Sequence, residues 1–231
     1  MSNTSQSKVI ILPETSRNPI QLIGRRAGYC WGADVTNEEK NYKRGLDCLK
    51  SNHGRTLEFV NVEAVFEGWS SRLIREWYTH IGGAPTRLQA STRYINYSNG
   101  FDYVVPDKIK NDPVALHDYE YVMKTIKDVS NYLENDLKIP REDVANMFPL
   151  GMNTTIVDKR NLRNIIDMSH QRMCTRAYWE FRQLFKEYSD RLREIDDEWA
   201  YIVDNYFMPK CEMLGYCPEK YSCGRKPKKE E

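Results

Sequence analysis

The stretch from Asn161 to about Phe207 constrains this chain more than any other, because apolar residues recur through it at the three- and four-residue intervals of a helix. Leu162, Ile165, Ile166, Ser169, Met173, Ala177, Phe181, Leu184 and Tyr188 trace one stripe, and a run this long predicts two or three helical pieces. A second stripe, Leu116, Tyr119, Met123, Ile126, Val129, Leu133 and Leu137, follows Asp112 and Pro113, a good helix start, and predicts a helix nearly to Pro140. Thr36 and Glu39 read as a capping box that opens a helix through Tyr42, Leu46 and Leu49 to Ser51. Trp69, Leu73, Ile74 and Trp77 share one side of a helix that ends near His80, since Gly82, Gly83 and Pro85 cannot continue it.

Strand signals are fewer. Val60, Val62, Ala64 and Phe66 alternate with Asn61 and Glu63, the period of a half-buried strand. Val9 to Leu12 is a short apolar run, and Tyr94 to Val105, with Asn99-Gly100 in its middle, reads as a strand interrupted by a turn. The expected fold is therefore α+β, a mostly antiparallel sheet packed against helices, with long C-terminal helices forming subunit contacts. We expect one domain over residues 1–208, then a Cys-containing, basic tail over 209–231 that is partly disordered.

Thirty-four Lys plus Arg against thirty-three Asp plus Glu leave a formal charge of +1, so no global field draws the chain to nucleic acid or membrane. Any anionic ligand must be held locally. No run approaches the roughly 20 apolar residues of a membrane span, and Met1 to Ser7 lacks the apolar core of a secretory signal, so a cytoplasmic setting is expected. The six scattered cysteines point to reduced thiols. Cys211, Cys217 and Cys223 are each separated by five residues, wider than zinc ligand pairs, so no metal is expected.

Two clusters of arginine carry the chemical interest. Arg172, Arg176 and Glu180 fall four residues apart beside the apolar stripe. That row reads either as an ion-pair ladder between helices or as an anion site, in which a packed guanidinium binds a phosphate or stabilises negative charge developing on a pyrimidine ring. The other cluster runs from Thr79 to Tyr94, where a Gly-rich loop leads into Arg87, Gln89, Ser91, Thr92 and Arg93. It reads as a phosphate cradle or as an ordinary loop before a strand, and it is neither a Walker A loop nor a dinucleotide fingerprint. Ser91 lacks a placed general base among the four histidines, which favours a phosphate-binding over a nucleophilic role.

Ser91-Thr92-Arg93-Tyr94, preceded by His80, resembles the signature of the flavin-dependent thymidylate synthases, which begins Arg-His-Arg and closes Ser-x-Arg-Tyr. His53 to Thr56, Trp77-Tyr78, Pro106, Asn161-Leu162-Arg163, Arg172, Ala177, Trp179 and Glu180 match that family in order and spacing, over about residues 50 to 185. Thr79 and Ile81 stand where the family has its two flanking arginines, and the stretch from there to Ser91 is two residues longer, which leaves Arg87 to supply a charge from the loop. Asn146 and Asp167 replace an arginine and an asparagine that often bind dUMP and flavin.

The resemblance implies reductive methylation of dUMP to dTMP by a homotetramer, with methylenetetrahydrofolate as one-carbon donor and FAD reduced by NADPH as hydride source. It implies FAD contacts at Thr56, Thr79, His80, Ile81, Arg87, Gln89, Asn161, Arg163 and Asp167. It implies dUMP contacts at Glu76, Gln89, Ser91, Thr92, Arg93, Asn146 and Arg172, with Arg172 as the catalytic cation. The alternatives are a non-catalytic nucleotide or single-stranded nucleic-acid binding protein and a helical interaction protein. Near-zero net charge speaks against the first, and the second leaves the joint matches unexplained.

Overall fold

The computed structural model describes residues 7–97 and 99–229. The polar start at Met1 to Gln6 and the closing Glu230-Glu231 lie outside the described residues. The chain opens with β1 (Lys8–Ile11), α1 (Pro19–Cys30), α2 (Glu38–Lys50) and α3 (Gly54–Leu57). It continues with β2 (Asn61–Ser70), α4 (Ser71–Trp77) and β3 (Thr86–Gln89), then α5 (Asp107–Lys110) and the long α6 (Pro113–Asn131), which a π-turn extends to Asp136. After α7 (Arg141–Val144) and a 3-10 turn come β4 (Asn153–Asn161), α8 (Leu162–Arg172), α9 (Trp179–Arg193), α10 (Asp197–Tyr206) and α11 (Lys210–Leu214). The strands make one antiparallel sheet in the order β1-β2-β4-β3, so the fold is α+β as expected.

Two compact units can be distinguished: 1–8, 66–75 and 88–156 make the first, and 9–65, 76–87 and 157–231 the second. In the first, α6 is capped by Asp112, whose carboxylate accepts from the amides of Val114 and Ala115, and Pro113 takes the first turn where its missing N–H costs nothing. Met123 on its inner face packs with Phe101, Tyr103 and Met152. That packing corrects the strand expected over Tyr94 to Val105. Among the described residues only Tyr103 bridges to a strand-like partner, Met152, because Tyr97, Phe101, Tyr103 and Val105 turn into a hydrophobic cluster instead of laddering.

The second unit holds the larger apolar core. Its helix α1 was not anticipated, since Gly24, Gly28 and two arginines hide the stripe of Ile20, Ile23 and Ala27. Those glycines are required by packing: a Cβ on Gly24 would sit 1.8 Å from the Asn41 carbonyl oxygen, and one on Gly45 of α2 would sit 1.9 Å from that of Ile20. The two helices therefore touch backbone to backbone. The start of α1 is capped from α10, where the Glu198 carboxylate accepts from the amides of Ile20 (2.6 Å) and Gln21 (3.0 Å). A carboxylate at a helix N-terminus meets both the unpaired amides and the positive end of the dipole.

Other differences are local. Helix α2 is capped by Asn37, whose side chain accepts from the Lys40 amide, while Thr36 bonds Asp34, so the expected capping box does not form. Strand β4 was missed, because Asp158 and Arg160 occupy inward positions that a half-buried strand normally gives to apolar residues. The expected C-terminal helical region is three helices, α8, α9 and α10. The row of Arg172, Arg176 and Glu180 is not a helical ladder: Arg172 ends α8, Arg176 lies in the turn and Glu180 begins α9.

Candidate active site

Arg172 is a partly exposed cation of the second unit held by several partners. It closes α8, and its Nε donates to Nε2 of His80 at 2.8 Å. One terminal nitrogen donates to the Glu76 carboxylate at 2.8 Å, the other reaches the Thr79 hydroxyl at 3.4 Å, and the guanidinium lies 4.6 Å over the ring of Phe181. A guanidinium has five N–H groups, so donors remain after these three bonds. The side chain is 19% exposed, so the group is oriented by packing and still accessible.

His80 is arranged to receive that bond. Burial, then the nearby charges of Arg172 and Arg160, hold its pKa down to about 4, so the ring is neutral near pH 7 and Nε2 can accept from the Arg172 Nε–H. Its ring packs edge-on against Phe181 at 5.8 Å. Behind it lies a buried ion pair on β4: Arg160 donates through Nε and a terminal nitrogen to Asp158 at 2.6 and 2.7 Å, and its third arm reaches Asn164 at 2.6 Å. Asp158 also accepts from the Trp77 indole, and Arg160 sits 4.4 Å over that ring. Neither charge is more than 1% exposed, so the pair is tolerated only because its hydrogen bonds are satisfied within the protein. Sequence reading missed this pair; Asp158-Lys-Arg160 on the inward phase of an otherwise alternating segment was the available signal.

The loop after α4 is shaped by backbone conformation. Gly83 has φ +72, where an L side chain is strained, and a Cβ there would also lie 2.1 Å from Asn161 Nδ2. Asn161 caps α8, its side-chain oxygen accepting from the Asn164 amide at 2.9 Å, while its Nδ2 donates to the Gly83 carbonyl at 3.5 Å. Arg163 in the first turn of α8 pairs with Glu58 at 2.8 Å and lies against Gly54, and the buried Thr56 of α3 donates to the His53 carbonyl. Arg87 turns back to donate to the Tyr78 carbonyl at 2.8 Å, its guanidinium 4.3 Å over the Tyr78 ring. Ile81 and Asp167 are exposed. Glu76, Thr79, His80 and Arg172 thus converge, Asn161 joins the Gly83 loop, and Arg163 lies against α3, which carries Thr56.

The remaining expected residues belong to the first unit. Gln89 at the end of β3 donates to Thr154 on β4 at 3.4 Å. Ser91, Thr92 and Arg93 form a tight turn in which the Ser91 hydroxyl oxygen accepts from the Arg93 amide at 3.2 Å. Arg93 is 63% exposed and pairs with Glu142 at 2.9 Å. Asn146, one turn past Glu142, donates to the carbonyls of Glu142 and Asp143. Among the described residues, no three His, Cys, Asp or Glu side chains gather closely enough to hold a metal ion. No helix of the described residues is long and apolar enough to cross a membrane.

Residues 12–196 match the family model described as thymidylate synthase complementing protein. The chain is 30% identical over 209 residues to the flavin-dependent thymidylate synthase of Nitratidesulfovibrio vulgaris, covering 85% of this chain and 82% of that one. It is 30% identical over 227 residues to the namesake enzyme of Geobacter sulfurreducens, covering 94% of each. Its fold resembles the flavin-dependent thymidylate synthase of Helicobacter pylori solved with FAD and dUMP, at a TM-score of 0.68 and 17% identity over 87% of this chain and 99% of that one. With the family model spanning most of its length, and near-full-length relatives agreeing, the chain belongs to the thymidylate synthase complementing protein family, that of the flavin-dependent thymidylate synthases.

Proposed function

We propose that the chain methylates dUMP to dTMP in a reductive reaction that uses FAD, with Arg172 as the cation that activates the uracil ring. The observation that carries the role of Arg172 is its guanidinium, fixed by Glu76, His80, Thr79 and Phe181 while donors remain free. A cation held this way needs no reorganisation when negative charge develops on a ring oxygen, which is the condition for electrostatic stabilisation of a transition state. Glu76 and His80 set its direction. Ser91, Thr92 and Arg93 bind the phosphate: a hydroxyl-bearing turn with an exposed arginine offers directed donors to a dianion. Gln89 and Asn146 complete the dUMP set.

The residues assigned to FAD suit an anionic dinucleotide. The loop after α4 packs backbone-close against Asn161 at Gly83, and Arg163, two residues after Asn161, presents a half-exposed guanidinium. Thr56, Thr79, His80, Ile81, Arg87, Gln89, Asn161, Arg163 and Asp167 would hold the cofactor, and Arg87 and Arg163 supply the charge that Thr79 and Ile81 do not. When bound, reduced FAD supplies the hydride, renewed from NADPH, while methylenetetrahydrofolate supplies the carbon.

The active sites are shared among subunits of a homotetramer in the cytoplasm, each chain contributing a catalytic domain over 1–208 with the tail appended. The support for assembly is α6 and its extension, which expose the large hydrophobic side chains of Val114 (72%), Tyr121 (66%), Val122 and Tyr132. The functional reading is tested by purifying the protein with FAD and assaying tritium release from C5-labelled dUMP with methylenetetrahydrofolate and NADPH. A protein that neither binds FAD nor releases tritium contradicts it.

A further inference from the structure

Outside the catalytic cluster, the second unit holds a cavity of about 350 Å³ where the C-terminal tail meets the turn between α8 and α9. Four of the six cysteines line it: Cys174 from the turn, and Cys211, Cys217 and Cys223 from the tail. The tail is folded there. The Cys217 amide donates to the Pro227 carbonyl at 2.7 Å, and residues 217 and 228 form a bridge, so the segment between them is a loop closed at its base. Cys223 sits exposed in that loop, while Cys211 and Cys217 are buried at 9% and 8% exposure and Cys174 is half-buried.

The four thiols are not equivalent. The Thr175 hydroxyl, then the amide and charge of Arg225, hold the Cys223 thiol below its ordinary range, which favours the thiolate at an accessible sulfur. Thr175 is the immediate neighbour of Cys174, and both line the cavity together with Cys223, so the cavity holds the accessible thiol and a second thiol on the adjoining turn.

We propose that this cavity is a peroxide-sensitive dithiol site, in which Cys223 is oxidised first and Cys174 closes a disulfide onto it. The Cys223 thiolate, its proton released to solvent, attacks one oxygen of hydrogen peroxide, forming an S–O bond as the O–O bond breaks, and the leaving hydroxide takes up that proton from solvent to become water. The Cys174 sulfur then attacks the sulfenic sulfur, the S–S bond forms, the S–O bond breaks, and the departing hydroxide takes the Cys174 proton to leave as water. Two thiols are oxidised, and one peroxide is reduced to two waters. The product ties the tail covalently to the turn that begins one residue after Arg172.

The test is cysteine mapping by mass spectrometry on the full chain. Before oxidation, iodoacetamide at limiting dose should label Cys223 several-fold faster than Cys30, the other exposed cysteine, which lies outside the cavity. Thr175→Val should remove most of that advantage. After hydrogen peroxide, a Cys174–Cys223 linked peptide should appear and be lost on reduction, and in the Cys174→Ser variant dimedone should trap the sulfenic acid on Cys223. Equal labelling of Cys30 and Cys223 would overturn the proposal. So would linkage of Cys223 to Cys211 or Cys217 instead, or one equivalent of zinc per chain shielding all four thiols.

Discussion

Arg172 and Arg93 are both assigned to the same substrate, yet the protein holds them in opposite ways. Arg172 is clamped by a carboxylate, a neutral imidazole, a hydroxyl and an aromatic face, with a buried ion pair behind. Arg93 stands 63% exposed on a turn, tied to one carboxylate that is itself 55% exposed. The contrast follows from the work each is assigned. A charge that must be in place when the ring becomes negative gains from fixed geometry, whereas a phosphate ligand needs only to be found and can be replaced at its resting partner when substrate arrives.

The largest way to break this contrast is to remove the support behind Arg172. Asp158→Ala leaves Arg160 buried and unpaired, and should lower unfolding free energy by about 3–5 kcal/mol in urea denaturation. Glu142→Ala, which releases Arg93, should stay within about 1 kcal/mol of the parent in the same measurement. Equal losses would mean that the two regions are supported alike.

Next in size is a pH effect. His80 has its folded pKa at about 4, below the ordinary value of 6.5, so above pH 6.5 the ring is neutral in both states and contributes no pH dependence. As pH falls below 6.5 the unfolded chain takes up a proton that the folded chain refuses, so stability falls through the window from 6.5 to 4. The contribution at pH 5 is about 2 kcal/mol, lost relative to pH 7, and His80→Gln should flatten that part of the profile. An NMR titration placing His80 near 6.5 would contradict the neutral acceptor assigned to Arg172.

Smaller effects separate binding from turnover. Arg93→Ala should raise KM for dUMP about 10-fold, one charge-assisted hydrogen bond, with kcat changed by less than about 3-fold. Glu142→Gln, which frees Arg93 from its resting partner, should lower that KM by about 2- to 5-fold. A fall in kcat in either variant, without a change in KM, would place Arg93 with the fixed charges.

The same division explains what could be read from the sequence. Helix α6 and strand β2 were legible because their periods, and for α6 its cap, are local: Asp112 and Pro113 announce the first, and Val62, Ala64 and Phe66 alternate in the second. Helix α1 was hidden because its N-terminal partner, Glu198, comes from the far end of the chain and its stripe is broken by glycines that the contact with α2 demands. Strand β4 was hidden by charges that become acceptable only when Trp77, Asp158, Arg160 and Asn164 meet. The chemical residues fared similarly. Motif resemblance singled out Arg172, His80 and Glu76, but nothing in their spacing indicated that His80 would accept a hydrogen bond from Arg172, or that Phe181 would lie under the guanidinium.

The most direct test of the catalytic role of Arg172 is a single comparison of Arg172→Ala with the parent, reading FAD binding by absorbance and tritium release from C5-labelled dUMP on the same preparations. FAD should remain bound while turnover falls about 10²- to 10³-fold, the loss expected when one fixed donor to developing charge is removed. A variant that keeps both its flavin and its parental rate of tritium release would contradict the account.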